Sequence, residues 1–232
     1  MLTFRKNERM GSHVGKICLF DAFGTLFKVK LPVEALDQLT GGKGTQLLEI
    51  WRSKQLEYTW LRGLMAAYVS FDQVTEEALT YAMRELAIEE PQVFDLLMPV
   101  YRQPEVFPDV EPGLKALHAA GYQLAILSNG TRSMLEAGVQ KTGLGQFLTT
   151  IFSVEEVQTF KPSPKVYQMP VDFFGRPLTD FLFFSSNRWD IAGAATFGFS
   201  TAWVNRQALL PELIGPTPTY TYASLEELRY EI

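Results

Sequence analysis

The run Ile17-Cys18-Leu19-Phe20 delivers Asp21 straight into the turn Ala22-Phe23-Gly24-Thr25, and no other feature constrains the fold as tightly. Consecutive apolar residues followed by turn signals read as a strand buried on both faces, as in the middle of a parallel sheet. Asp21 then stands at the strand's C-terminal edge, where open α/β sheets bind their ligands. The pattern recurs. Leu124–Leu127 runs into Ser128-Asn129-Gly130-Thr131, Phe181–Phe184 runs into Ser185-Ser186-Asn187, and Thr201–Val204 forms a fourth strand. Helical periodicity near 113–120, from Ser133 and near Ile191 lies between them. Such strand–helix–strand repeats predict an α/β fold: a Rossmann-like parallel-sheet core with right-handed crossovers. A strand-end Asp before Gly is suited to nucleophilic attack, though it can also serve only the turn's hydrogen bonds.

Between the first strand and the others the period changes. Leu47, Leu48, Trp51, Leu56, Trp60, Leu61, Leu64, Met65 and Tyr68 recur three and four apart, which predicts a long amphipathic helix. A second helix is expected from Asp72, as its N-cap, to Ala87, and a third over Pro91–Tyr101. The expected division is an N-terminal extension over 1–15, a core domain over 16–29 and 106–232, and a helical cap over 30–105, inserted after the first strand. The first fifteen residues carry Arg5, Lys6 and Arg9 but no apolar stretch of a secretion signal.

Composition narrows the chemistry. A net charge of −5 and a pI near 5.2 provide no basic field for nucleic acid, and no run approaches the roughly 18 apolar residues of a membrane span. The single cysteine, Cys18, lies inside the first strand, so it reads as a buried inert thiol in a reducing, cytoplasmic setting. With only His13 and His118, the chain offers neither a histidine metal site nor a Ser-His-Asp triad. Carboxylate, lysine, arginine and hydroxyl groups remain. Ser128 and Asn129 stand at a strand-to-helix turn whose freed N–H groups can hold an anion or simply cap the helix. Lys161, in Phe160-Lys161-Pro162, is directed by the proline that follows it. Beside Asp21 its ammonium would favour an anionic substrate; otherwise it is a solvated surface lysine. Arg52, next to Trp51, can face the site from the cap or merely stack.

Asp21-Ala22-Phe23-Gly24-Thr25 resembles the first motif of the haloacid dehalogenase superfamily, in the form carried by its L-2-haloacid dehalogenases. Leu127-Ser128-Asn129-Gly130 resembles the second motif, Lys161 with Tyr167 the third, and Ser185-Ser186-Asn187-Arg188-Trp189-Asp190 the dehalogenase form of the fourth. The cap stretch Trp51-Arg52-Ser53-Lys54-Gln55-Leu56 is similar to the cap helix of the same enzymes. Phosphatases of the superfamily hold Mg²⁺ with acids where this chain has Ser185 and Ser186, and use a second acid where it has Phe23. The resemblance therefore implies metal-free, cofactor-free hydrolysis of (S)-2-haloalkanoic acids to (R)-2-hydroxyalkanoic acids through an ester on Asp21. It assigns catalytic roles to Asp21, Thr25, Arg52, Asn129, Lys161, Ser185, Asn187 and Asp190. Substrate contacts fall to Phe23, Leu56, Phe71, Ser128, Asn129, Tyr167 and Trp189, although core packing explains Leu56, Phe71 and Trp189 equally well. Partners are then the small 2-haloacid, water and the released halide, in a homodimer, with neither nucleic acid nor membrane. Lys28, Ser53 and Phe23 depart from the residues common in that group. Rival readings are a Mg²⁺-dependent phosphatase, a hydrolase opening a strained 2-carboxylate ring, and a scaffold that binds a small acid without turning it over.

Overall fold

A computed structural model describes residues 16–230; the extension expected over 1–15 lies outside the described residues. The sheet is built from β1 (Ile17–Phe20), β4 (Gln123–Ser128), β5 (Leu148–Ser153), β6 (Phe181–Ser185), β7 (Ser200–Val204) and β8 (Tyr220–Tyr222), in the order β5-β4-β1-β6-β7-β8. Every pairing is parallel. β1 lies between β4 and β6, registering Phe20 against Ile126 and Phe184, and all four of its residues are buried. Chain order moves outward from β1 in both directions, so the sheet's switch point, where ligands bind in such folds, is the end of β1 itself. Phe20 stacks on Phe184 with ring centroids 4.7 Å apart. Cys18 is completely buried and burial pushes its thiol pKa up, which leaves it unreactive.

Crossovers are made by α5 (Val110–Ala119), α6 (Arg132–Thr142), α7 (Pro164–Phe174) and α8 (Arg188–Phe197). The insertion holds α1 (Val33–Thr40), α2 (Gly44–Met65), α3 (Phe71–Glu85) and α4 (Gln92–Leu97). The chain enters it through β2 (Phe27–Lys28) and leaves through β3 (Glu105–Val106), which pair antiparallel as a two-stranded ribbon.

The long helix predicted from Leu47 to Tyr68 is α2, but it stops at Met65, where Ala66 turns left-handed, and Tyr68 lies beyond it. The helix expected over 91–101 stops at Leu97 and tightens into a 3₁₀ turn over Met98–Arg102, because Pro99 lacks the N–H that a continuing α-helix needs. Asp72 is not the N-cap of α3. Ser70 is, with extended backbone and a hydroxyl that accepts from Gln73 N–H, while Asp72 stands in the first turn. Asp72 instead accepts from Thr131 of the core and from Arg102, tying the insertion to the sheet. Among the described residues no helix is long and apolar enough to cross a membrane.

Candidate active site

Asp21 is still part of the sheet ladder, its N–H donating to Phe184 O at 2.9 Å, so the strand fixes where its side chain starts. Immediately beyond, the Ala22 carbonyl accepts from the N–H groups of Thr25, Leu26 and Phe27, which folds the chain back on itself. Gly24 makes this possible with a φ of +91°, a conformation side-chain-bearing residues rarely adopt. The turn brings the Thr25 hydroxyl to Asp21 Oδ2 at 3.1 Å. Asn187, at the N-cap of α8, donates Nδ2 to the same oxygen at 3.0 Å. The other oxygen, Oδ1, lies 3.2 Å from Lys161 Nζ.

Lys161 has no exposed side-chain surface, and its ammonium also donates to Asp190 Oδ2 at 2.8 Å. Two carboxylates thus share one buried cation. Burial disfavours the ammonium, but the charges of Asp190 and Asp21 and the hydrogen bonds they accept outweigh it, so the Lys161 pKa lies above the ordinary lysine value. Burial pushes Asp190 up to about 6, against the opposing pull of Lys161. Tyr167 donates to Asp190 Oδ1 at 2.8 Å, and burial followed by the Asp190 charge holds its phenol well above its usual pKa, which keeps it a donor. The Lys161 backbone N–H donates to Asn129 Oδ1 at 2.9 Å. That bond turns the Asn129 amide so that Nδ2 remains to donate elsewhere.

Several expected residues act at one remove from Asp21. Ser185 is fully buried, and its hydroxyl accepts from Asn187 N–H at 3.1 Å, fixing the residue that touches the carboxylate. Tyr167, expected against substrate, is equally buried and works on Asp190. The Ser128 hydroxyl accepts from Gly130 N–H at 3.1 Å and shapes the turn after β4. A Cβ on Gly130 would come within 2.8 Å of the Phe23 ring, so that turn approaches the loop after Asp21 closely.

The insertion carries Arg52 and several of the aromatic groups near it. Arg52 makes no ion pair with Asp21; its Nη1 donates to Gln55 Oε1 at 2.7 Å, one turn along α2. Gln55 is completely buried, accepts also from Tyr101 OH at 3.1 Å and donates to Thr75 Oγ1 at 2.8 Å. The guanidinium is thereby held by a network spanning three elements of the insertion. Phe23, Trp51 and Phe71 meet the Tyr101 ring edge-on at 5.1, 5.9 and 6.0 Å, and Trp189 meets Trp60 of α2 at 5.6 Å. Leu56 is half-buried between these groups in sequence on α2.

Gln55, Thr75, Tyr101 and Ser186 were not anticipated as site residues. Ser186 donates its N–H to Thr25 Oγ1 at 2.9 Å and its hydroxyl to Gly24 O at 2.6 Å, clamping the turn after Asp21 onto β6. Gln55 left one signal, a polar residue one turn from Arg52 on a helix face that is otherwise buried.

Asp21 is a carboxylate at the C-terminal end of the central strand whose counter-cation is the buried Lys161, with an amide and a hydroxyl donating to its second oxygen. The ammonium bridges the two carboxylates, at 3.2 Å from Asp21 and 2.8 Å from Asp190. The sequence model of haloacid dehalogenase-like hydrolases matches residues 16–198, and the chain belongs to that family. It is 40% identical over 207 residues to an (S)-2-haloacid dehalogenase of Pseudomonas sp. strain YL, covering 89% of both chains. It is 39% identical over 212 residues to (S)-2-haloacid dehalogenase 4A of Burkholderia cepacia, covering 91% of this chain and 89% of that one. Its fold superposes with a TM-score of 0.83 on the L-2-haloacid dehalogenase of Xanthobacter autotrophicus with chloropropionic acid covalently bound, at 34% identity over 93% of this chain and 97% of the other.

Proposed function

We propose that the chain hydrolyses (S)-2-haloalkanoic acids to (R)-2-hydroxyalkanoic acids, with Asp21 as nucleophile and without a metal or cofactor. The observation that carries this reading is the Asp21–Lys161–Asp190 arrangement, in which an ammonium stands between the carboxylates at 3.2 and 2.8 Å. The names of the similar enzymes support the substrate class. Asp21 attacks C2 from the side opposite the halogen, forming an ester and inverting the carbon. Ser128 and the N–H groups of its turn hold the substrate carboxylate, while Phe23, Leu56, Phe71 and Trp189 hold the alkyl group, giving the in-line approach displacement requires. Arg52 and Asn129 stabilise the departing halide. Water oriented by Asn187 then attacks the ester carbonyl and regenerates Asp21. Thr25, Ser185, Tyr167 and Asp190 keep Asp21, Asn187 and Lys161 in place.

Residues 30–105 serve as a cap over the core in this reading, and the protein works in the cytoplasm as a homodimer. The apolar residues Leu61, Leu64 and Met65 at the end of α2, 44, 84 and 65% exposed, support a pairing surface on the cap. Light scattering of the purified chain measures that mass directly.

Halide release from 2-chloropropionate in the presence of EDTA tests the reaction class. Undiminished release is expected. Activity that requires Mg²⁺, together with hydrolysis of p-nitrophenyl phosphate, would instead assign the chain to phosphatase chemistry.

Gln55→Leu is expected to lower kcat by about 10- to 100-fold, because Arg52 loses the group that aims it and small misplacements of a charge-stabilising donor are costly. Arg52→Ala should fall at least as far. If Gln55→Leu keeps full kcat while Arg52→Ala does not, Arg52 finds its position without the Gln55 network.

A further inference from the structure

Arg206 follows β7, is 17% exposed at its side chain and lies beyond the last of the motifs described above. Its Nη2 donates to Thr25 O at 2.9 Å and its Nη1 to Gly24 O at 3.4 Å, so one guanidinium holds two successive carbonyls of the nucleophile turn. Its Nε lies 3.0 and 3.1 Å from the two Asp109 oxygens, and its guanidinium carbon stands 4.2 Å from the centre of the Phe107 ring. Asp109 occupies the N-cap position of α5 but makes no side-chain cap there. Its carboxylate is given instead to Arg206 and to the N–H of Leu225, at 2.8 Å. Phe107 in turn follows β3, the strand by which the chain returns from the cap. Arg206 therefore joins the nucleophile turn, the returning linker and the start of α5, with the C-terminal 3₁₀ turn attached through Asp109.

The Thr25 hydroxyl explains why such a grip matters. It accepts from Ser186 N–H at 2.9 Å and has one proton to give, with Asp21 Oδ2 and Ser186 Oγ both 3.1 Å away. Which of the two receives it depends on where the backbone at 24–26 places Thr25, and Arg206 shares the hold on that backbone with the Ser186 hydroxyl, which donates to Gly24 O at 2.6 Å. We infer that Arg206, anchored by Asp109, is a positioning residue that sets the Gly24–Thr25 turn and so directs Thr25 and Asp21 for attack. The inference rests on the reading of Asp21 as nucleophile. A planar guanidinium can donate to two neighbouring carbonyls and to a carboxylate at once; an ammonium is a compact point charge and cannot.

The test compares wild type with Arg206→Met, Arg206→Lys and Asp109→Asn. The readouts are steady-state halide release from 2-chloropropionate, the single-turnover rate of mass gain on the intact protein, and the thermal midpoint. At a temperature where each variant is folded, Arg206→Met is expected to lose about 10- to 100-fold in kcat and in the rate of mass gain, with KM within about threefold of wild type. Arg206→Lys should recover little of that loss, and Asp109→Asn should fall between wild type and Arg206→Met. A folded Arg206→Met with wild-type kcat, or a loss that only tracks the unfolded fraction, overturns the inference. Should Arg206→Met fail to fold, wild-type rates in both Arg206→Lys and Asp109→Asn overturn it equally. A wild-type chain that releases no halide overturns the dehalogenase reading and this inference with it, whereas active wild type with unaffected variants overturns the inference alone.

Discussion

Asp21→Asn abolishes halide release, by an expected factor on the order of 10⁴ or more in kcat, comparable to deletion of a nucleophile in other covalent hydrolases. The substitution keeps the shape of the side chain and one acceptor oxygen, which can still take the Lys161 hydrogen bond made at 3.2 Å, while the new amide N–H can donate to the Thr25 hydroxyl, so the fold is expected to survive. What disappears is the carboxylate charge that makes the attack. A neutral amide at the same place is a feeble nucleophile towards saturated carbon. The measurement is halide release by the folded variant, with a circular dichroism spectrum to confirm the fold. Retention of more than a few per cent of the wild-type rate would mean that water, not Asp21, displaces the halide.

Lys161→Met is expected to damage both activity and stability, for separable reasons. The ammonium is fully buried, contacts Asp21 and Asp190 and lies 4.8 Å from the centre of the Phe183 ring. Removing it leaves two carboxylates in the core without their cation, a change that costs about 3–5 kcal/mol in comparable buried pairs. Loss of a preorganised charge beside the reacting carboxylate is expected to lower kcat by about 10²- to 10³-fold or more. The double variant Lys161→Met/Asp190→Asn separates the two effects. Neutralising Asp190 removes the orphaned charge that has no exposure at all, so the thermal midpoint should recover in part while kcat stays low. Recovery of activity along with stability would reduce Lys161 to a structural role.

How much of this was legible beforehand follows burial. β1, β4, β6 and β7 announced themselves because strands covered on both faces must be apolar throughout. β5 did not, since Thr149 and Thr150 interrupt it and its place at the sheet edge leaves the strand only partly covered. β8 has three residues at the opposite edge. α7 was hidden by its prolines: Pro164 begins it and Pro170 lies inside, where a helix ordinarily avoids proline. At the site, residues that end buried strands could be named from the sequence, because the strand dictates where they emerge. Asp21, Asn129 and Asn187 belong to that class, Asp190 lies in the first turn of α8 and was marked only by the motif it completes, and Lys161 was marked by its proline. Residues whose importance comes from packing between distant segments could not. Gln55 reaches Thr75 and Tyr101 across the cap, and Arg206 reaches Thr25 across 181 positions of sequence. Tyr167 was expected against the substrate and Ser185 beside the hydrolytic water, and only the folded chain shows that they bond to Asp190 and Asn187.

The central claim is that Asp21 becomes an ester and is regenerated by water attacking its carbonyl carbon. Turnover of 2-chloropropionate in ¹⁸O-labelled water, followed by mass analysis of the peptide that contains Asp21, tests it most directly. Over many turnovers the account predicts ¹⁸O in the carboxylate of Asp21, while in a single turnover with enzyme in excess the product hydroxyl carries unlabelled oxygen from the protein. Label appearing in the product from the first turnover, with the Asp21 peptide unlabelled throughout, would show that water attacks C2 directly and would contradict the account.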